Sequence, residues 1–119
     1  MAVADTVNLA LYRWSTFRQR LYVLDEDAEL VNLVGFGAKL QVRAAHGDVA
    51  DLFTATTTDY LATGDGYLDI EIPGQTVGPW AFSSGVYDLF VTEPVTEYPI
   101  VIAKGTLVVW PSVTTFATP

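Results

Sequence analysis

The sequence predicts an all-β fold: one domain built as an antiparallel sandwich or barrel. Three observations lead there. Apolar and polar residues alternate with period two in run after run. The runs are short and end at Gly, Pro or Asp turn signals. No window carries the 3.6-residue periodicity of a long amphipathic helix.

Taken in order, "TVNLALYRW" sets Val7, Leu9 and Leu11 on one face and Asn8, Ala10 and Tyr12 on the other. "FRQRLYVLDEDAELVNL" reads as two strands across a turn, with the acidic Asp25–Glu29 as the loop. In "FGAKLQVRAA", Ala38, Leu40 and Val42 alternate with Lys39, Gln41 and Arg43. "VADLFTATTTDYLA" has room for one turn around Asp51, but its threonines favour extended backbone. Gly64-Asp65-Gly66 forms a tight turn before "YLDIEIPG", where Leu68, Ile70 and Ile72 alternate with Asp69 and Glu71 until Pro73-Gly74 ends the strand. "TVGPWAFSSG" reads as a connection with room for a short helical turn.

"GVYDLFVTEP" follows as a strand with an aspartate, Asp88, at its centre. Aspartate is depleted in strands and costly to bury unpaired. With Tyr87, Leu89 and Val91 facing the core, Asp88 points the other way with Val86 and Phe90. That second face is apolar enough to call for a cover. An ionised Asp88 beneath it would need a partner, and Arg43 is the first candidate; hydrogen bonds from backbone or hydroxyl groups, or plain exposure to water, are the competing readings. The last stretch holds two runs, Ile100–Ala103 and Thr106–Trp110, broken at Lys104-Gly105. The domain spans 1–119, with a loosely held N-terminus (about 1–5) and C-terminal tail (about 114–119).

Composition excludes several classes. The chain has 119 residues, enough for one domain that buries roughly two thirds of its unfolded surface. Its apolar fraction of 50% and mean hydropathy of +0.31 are far from those of disordered chains. No apolar run approaches the ~18 residues of a membrane helix, and the opening "MAVADTVNLALYRW" lacks the charged and apolar regions of a secretory leader, so no membrane contact is expected. There are no cysteines, hence no disulfides or thiolate metal sites. Six basic against fourteen acidic residues give a net charge of -8, which repels phosphate backbones and argues against nucleic acid.

A search for catalytic chemistry finds little. His46 is the only histidine, and it precedes a Gly-Asp turn where an exposed imidazole is the ordinary reading. No GxSxG motif occurs. Asp25, Glu26, Asp27 and Glu29 offer oxygen ligands, but the central glycine and the twelfth-position glutamate of a calcium loop are missing. "GFG" and "GDG" have no lysine at P-loop spacing. No enzyme activity, metal or cofactor is expected. Trp14, Trp80 and Trp110, with the tyrosines and phenylalanines, suit either a carbohydrate platform or, more simply, a core and an assembly interface. Alternation turns Trp110 outward while Leu107 and Val109 face in.

Several pieces, in order, resemble small all-β virion proteins of tailed bacteriophages. They are "FRQRLYVLDEDAELVNLVGFGAKLQVRAA", then Gly66–Ile72, Thr76–Trp80, "GVYDL" and "IAKGTLVVWPSVT". The pairing of "QVR" (Gln41–Arg43) with "YDL" (Tyr87–Leu89) is the most specific part, and Val34 departs from the threonine usual in the "DLTG"-like stretch. The likeness runs over about residues 17–115. It implies an immunoglobulin-like or related β-sandwich acting as a non-enzymatic part of a tail, baseplate or head-to-tail connection, with virion proteins as partners. A capsid decoration protein and a carbohydrate-binding module are the alternatives. The expected location is the virion, assembled in the host cytoplasm, as a symmetric homo-oligomer or multi-copy component. The interface candidates are Phe90, Trp110 and Phe116, on and around the segment "GTLVVWPSVTTF".

Overall fold

Alternation decides which side of each strand is buried, and the computed structural model describes the result for residues 5–45, 47 and 51–111. Among them are nine strands: β1 (Asp5–Thr6), β2 (Leu9–Tyr12), β3 (Phe17–Tyr22), β4 (Gly37–Arg43), β5 (Phe53–Thr56), β6 (Leu61–Gly64), β7 (Tyr67–Ile72), β8 (Ser84–Thr92) and β9 (Pro99–Trp110). One helical turn, α1 (Gly74–Val77), lies between β7 and β8. No described helix is long and apolar enough to cross a membrane.

The strands form two packed sheets, so the expected all-β sandwich is present. The larger sheet runs β1-β9-β8-β4-β5, with β2 also on β9; the smaller runs β3-β7-β6. The core between them holds the alternating apolar sets: Leu9 and Leu11 from β2, Leu40 and Val42 from β4, Leu68, Ile70 and Ile72 from β7, Tyr87, Leu89 and Val91 from β8, Leu107 and Val109 from β9. β6 and β7 join through the two-residue turn Asp65-Gly66, where Gly66 takes φ +90, a conformation strained for other residues.

The fold departs from the sequence reading in three places. First, β1 and β2 pair parallel with β9, Asp5 against Ala103 and Leu9 against Leu107, so the larger sheet is mixed. Alternation fixes a strand's faces and not its direction. Second, the chain does not break at Lys104-Gly105: β9 continues for 12 residues. The irregularity is a bulge, since Leu89 faces Ala103 while Phe90 faces Val101. The extra residue lets Ile102 and Ala103 both turn into the core. Third, beyond the acidic loop the chain makes only isolated bridges, Leu24 to Leu30 and Asn32 to Asp65, in place of a second full strand. The loop itself is well tied: the Asp25 carboxylate accepts the N–H groups of Asp27 and Glu29. These backbone bonds, that of Glu29 first, hold it below the usual carboxylate range.

Residues 1–4 and 112–119 lie outside the described residues, so the readings of loosely held ends do too, except that Asp5 already pairs as the start of β1. His46 is likewise outside them.

Candidate assembly surface

Two of the residues singled out for contact, Phe90 and Trp110, sit on the outer face of the larger sheet, and strand register arranges them. At one end β2 and β9 place Tyr12 opposite Trp110 and Ala10 opposite Val108. Tyr12 is 57% and Trp110 51% exposed, while Leu107 and Val109 are buried, so Trp110 faces outward as its alternation requires. Towards the other end, the bulge sets Phe90 opposite Val101. Phe90 is half-buried and Val101 exposed. The β8–β9 hairpin then closes through a loop carrying Val95 (88% exposed) and Tyr98 (69%). Eight residues of strand lie between Val101 and Trp110, roughly 30 Å at the usual rise. Phe116, the third interface candidate, lies outside the described residues.

Between these two apolar ends the face carries Asp88, Lys104 and Thr106, with Val86 half-buried among them. Asp88 stands opposite Gln41 on one side and Lys104 on the other. The expected Arg43–Asp88 buried pair does not form, and the competing reading of an Asp88 exposed to water holds. Asp88 is exposed, and Arg43 instead donates from Nε to Asp51 Oδ1 at 2.8 Å. The β4–β5 connection brings Asp51 back beside β4, where it also accepts from Gln41 Nε2 and Thr54 Oγ1, each at 3.0 Å. The Arg43 bond, then that of Thr54, holds the Asp51 carboxyl below its ordinary range. Arg43 and Asp88 do line one shallow depression of about 80 Å³, with Gln41 and Val86. They share its rim without pairing. Water solvates Asp88, which removes the desolvation cost that a buried carboxylate would carry.

The other aromatics turn elsewhere. Trp80 stacks on Phe82 with ring centroids 4.9 Å apart and meets Phe53 at 4.6 Å. All three are partly buried against the core, along with Tyr60. The Arg13 guanidinium holds this connection by donating to the carbonyls of Gly78, Trp80 and Phe82. Among the described residues no group of His, Asp or Glu side chains is placed to hold a metal ion. Sequence reasoning missed Tyr12, Val95, Tyr98 and Val101. For Tyr12 a signal existed, because it alternates with Leu9 and Leu11; its pairing with Trp110 needed the parallel register. No protein-family model matches the chain, and neither does any curated protein.

Proposed function

We propose that this chain is a non-enzymatic structural protein of a tailed phage particle, working by protein–protein assembly in the tail, baseplate or head-to-tail connection. The observation that carries the proposal is the outer face of β2, β9 and β8. Two apolar groups, Tyr12 with Trp110 and Phe90 with Val101, lie at its ends with charged residues between them. Exposed apolar patches rimmed by polar residues mark contact sites. Two such patches roughly 30 Å apart suit a subunit with a neighbour at each end, the head-to-tail contact from which rings are built. The resemblance of "QVR" and "YDL" to phage virion proteins points the same way, and the net charge of -8 suits a protein partner better than a nucleic acid.

The test is the composition of purified particles from a host lysate in which the gene is expressed. Mass spectrometry should find the protein in several copies per particle, and its absence would end the proposal. A capsid decoration protein would instead remain with tailless heads after the tails are detached. A carbohydrate-binding module would use the Tyr12–Trp110 rung as its platform and would be retained on a polysaccharide column.

A further inference from the structure

The smaller sheet ends on an edge whose backbone, packing and charge all suit one more strand. Among the described residues β3 pairs with β7 alone. In an antiparallel pair, residues alternate between those bonded to the partner and those whose N–H and C=O face away. Val23 donates to the Gly66 carbonyl at 3.0 Å, in step with the register that sets Tyr22 against Tyr67. Phe17, Gln19 and Leu21 therefore share its parity and face β7, while the backbone groups of Arg18, Arg20 and Tyr22 face the open edge. Packing is unfinished on the same side. Phe17, Gln19 and Leu21 are only half-buried, whereas their β7 partners Ile72, Ile70 and Leu68 are fully buried.

Charge decides what the added strand would be. On the outer face Arg18 meets Glu71 at 2.9 Å, and Arg20 grips Asp69 through Nε and a terminal nitrogen at 2.7 and 2.9 Å. β7 thus carries a column of carboxylates and β3 a column of guanidiniums. The next column should be negative again, since like charges directly opposite one another destabilise a sheet. A second copy pairing β3 with β3 would set arginine beside arginine. We infer that the β3 edge accepts, by strand addition, an extended segment of a partner protein with carboxylates on alternate residues. The net charge of -8 opposes such a segment at a distance, where salt screens it within roughly 8 Å; at contact the neighbouring column is Arg18 and Arg20, with Glu71 and Asp69 one strand further away. This edge belongs to the other sheet from the apolar face described above, so either contact can fail without the other.

The experiment is an NMR titration of the full chain with two capped octapeptides, one of alternating glutamate and valine, the other of alternating lysine and valine. The glutamate peptide should shift the amides of Arg18, Arg20 and Tyr22 and slow their exchange with solvent. It should bind about tenfold more tightly than the lysine peptide, from two favourable cross-strand pairs. Arg18→Pro removes an edge N–H without touching a backbone bond to β7 and should abolish binding, while the amide shifts of the larger sheet stay in place to show that the fold persists despite the loss of the Arg18–Glu71 ion pair. Arg18→Glu, which keeps the backbone donor, should erase the preference between peptides, and Arg18→Glu with Arg20→Glu should reverse it. Equal binding of the two peptides, no shift at millimolar peptide, shifts confined to another surface, or dimerisation of the chain through β3 would each overturn the inference.

Discussion

The Tyr87 hydroxyl donates to the carbonyl of Val7, tying the middle of β8 to the point where the chain passes from β1 to β2. Tyr87 is 2% exposed, its ring in the core and its one polar atom spent on this bond. Around the same point Val7 donates to the Lys104 carbonyl, and the Asn8 side chain accepts from the Thr106 N–H and hydroxyl. The parallel N-terminal strands, which carry Tyr12 to its place beside Trp110, are registered on β9 here.

Tyr87→Phe keeps the ring and removes the donor. It leaves the Val7 carbonyl without that partner, which should cost about 1–3 kcal/mol in urea unfolding. A smaller loss would mean that water replaces the hydroxyl.

Alkaline pH should act on the same group. Burial, with the Asp88 carboxylate adding to it, pushes the Tyr87 phenol up to about 12. An unfolded tyrosine titrates near 10. The folded state therefore keeps a proton that the unfolded state has lost, and this contribution, fully present below pH ~10, is lost as pH rises towards 12. Tyr87→Phe should remove that component of the alkaline decline; identical pH profiles for the two proteins would contradict the assignment.

Asp51 should couple to Arg43, and Asp88 should not. In double-mutant cycles Arg43→Ala with Asp51→Ala should be non-additive, because Nε and Oδ1 meet at 2.8 Å. Arg43→Ala with Asp88→Ala should be additive. The folded Asp51 pKa is depressed, so its contribution is present above the unfolded value near 3.9 and disappears as pH falls through the lower folded one. Asp51→Asn should accordingly be destabilising at neutral pH and match the parent in strong acid.

Two glycines in strands should answer differently to the same methyl. At Gly105 a Cβ would come within 2.4 Å of the Val7 carbonyl oxygen, a backbone atom that cannot yield without shifting β1 and β2. Gly105→Ala should cost about 1–3 kcal/mol, as overpacking does. At Gly37 the nearest atom is Thr92 Cβ at 3.9 Å, an ordinary contact, and Gly37→Ala should be close to neutral. Equal costs would show that Val7 does not approach β9 as described.

What the sequence made legible was local. "AKLQVR" and "LDIEI" alternate so regularly that their buried residues, Leu40, Val42, Leu68, Ile70 and Ile72, could be named in advance. The faces of β8 and the outward turn of Trp110 followed from the same rule. What stayed hidden depends on residues distant in sequence or on geometry within a strand. The partner of Arg43 is decided by where the β4–β5 connection returns, and period-two reasoning has nothing to say about that. The Lys104-Gly105 pair reads as a break because glycine is rare in strands, yet here it admits the Val7 backbone close to β9. The bulge at Ile102 shifts the alternation by one residue, so the outward placement of Val101 beside Phe90 could not be read off by counting.

Cryo-electron microscopy of tailed particles purified from a lysate in which the gene is expressed tests the assembly claim most directly. The map should show one neighbouring subunit packed on Tyr12, Val108 and Trp110 and another on Phe90 and Val101, with a total buried area above roughly 2,000 Å² for an obligate contact. Either rung standing open to solvent in the assembled particle, or no density for the protein at all, would contradict it.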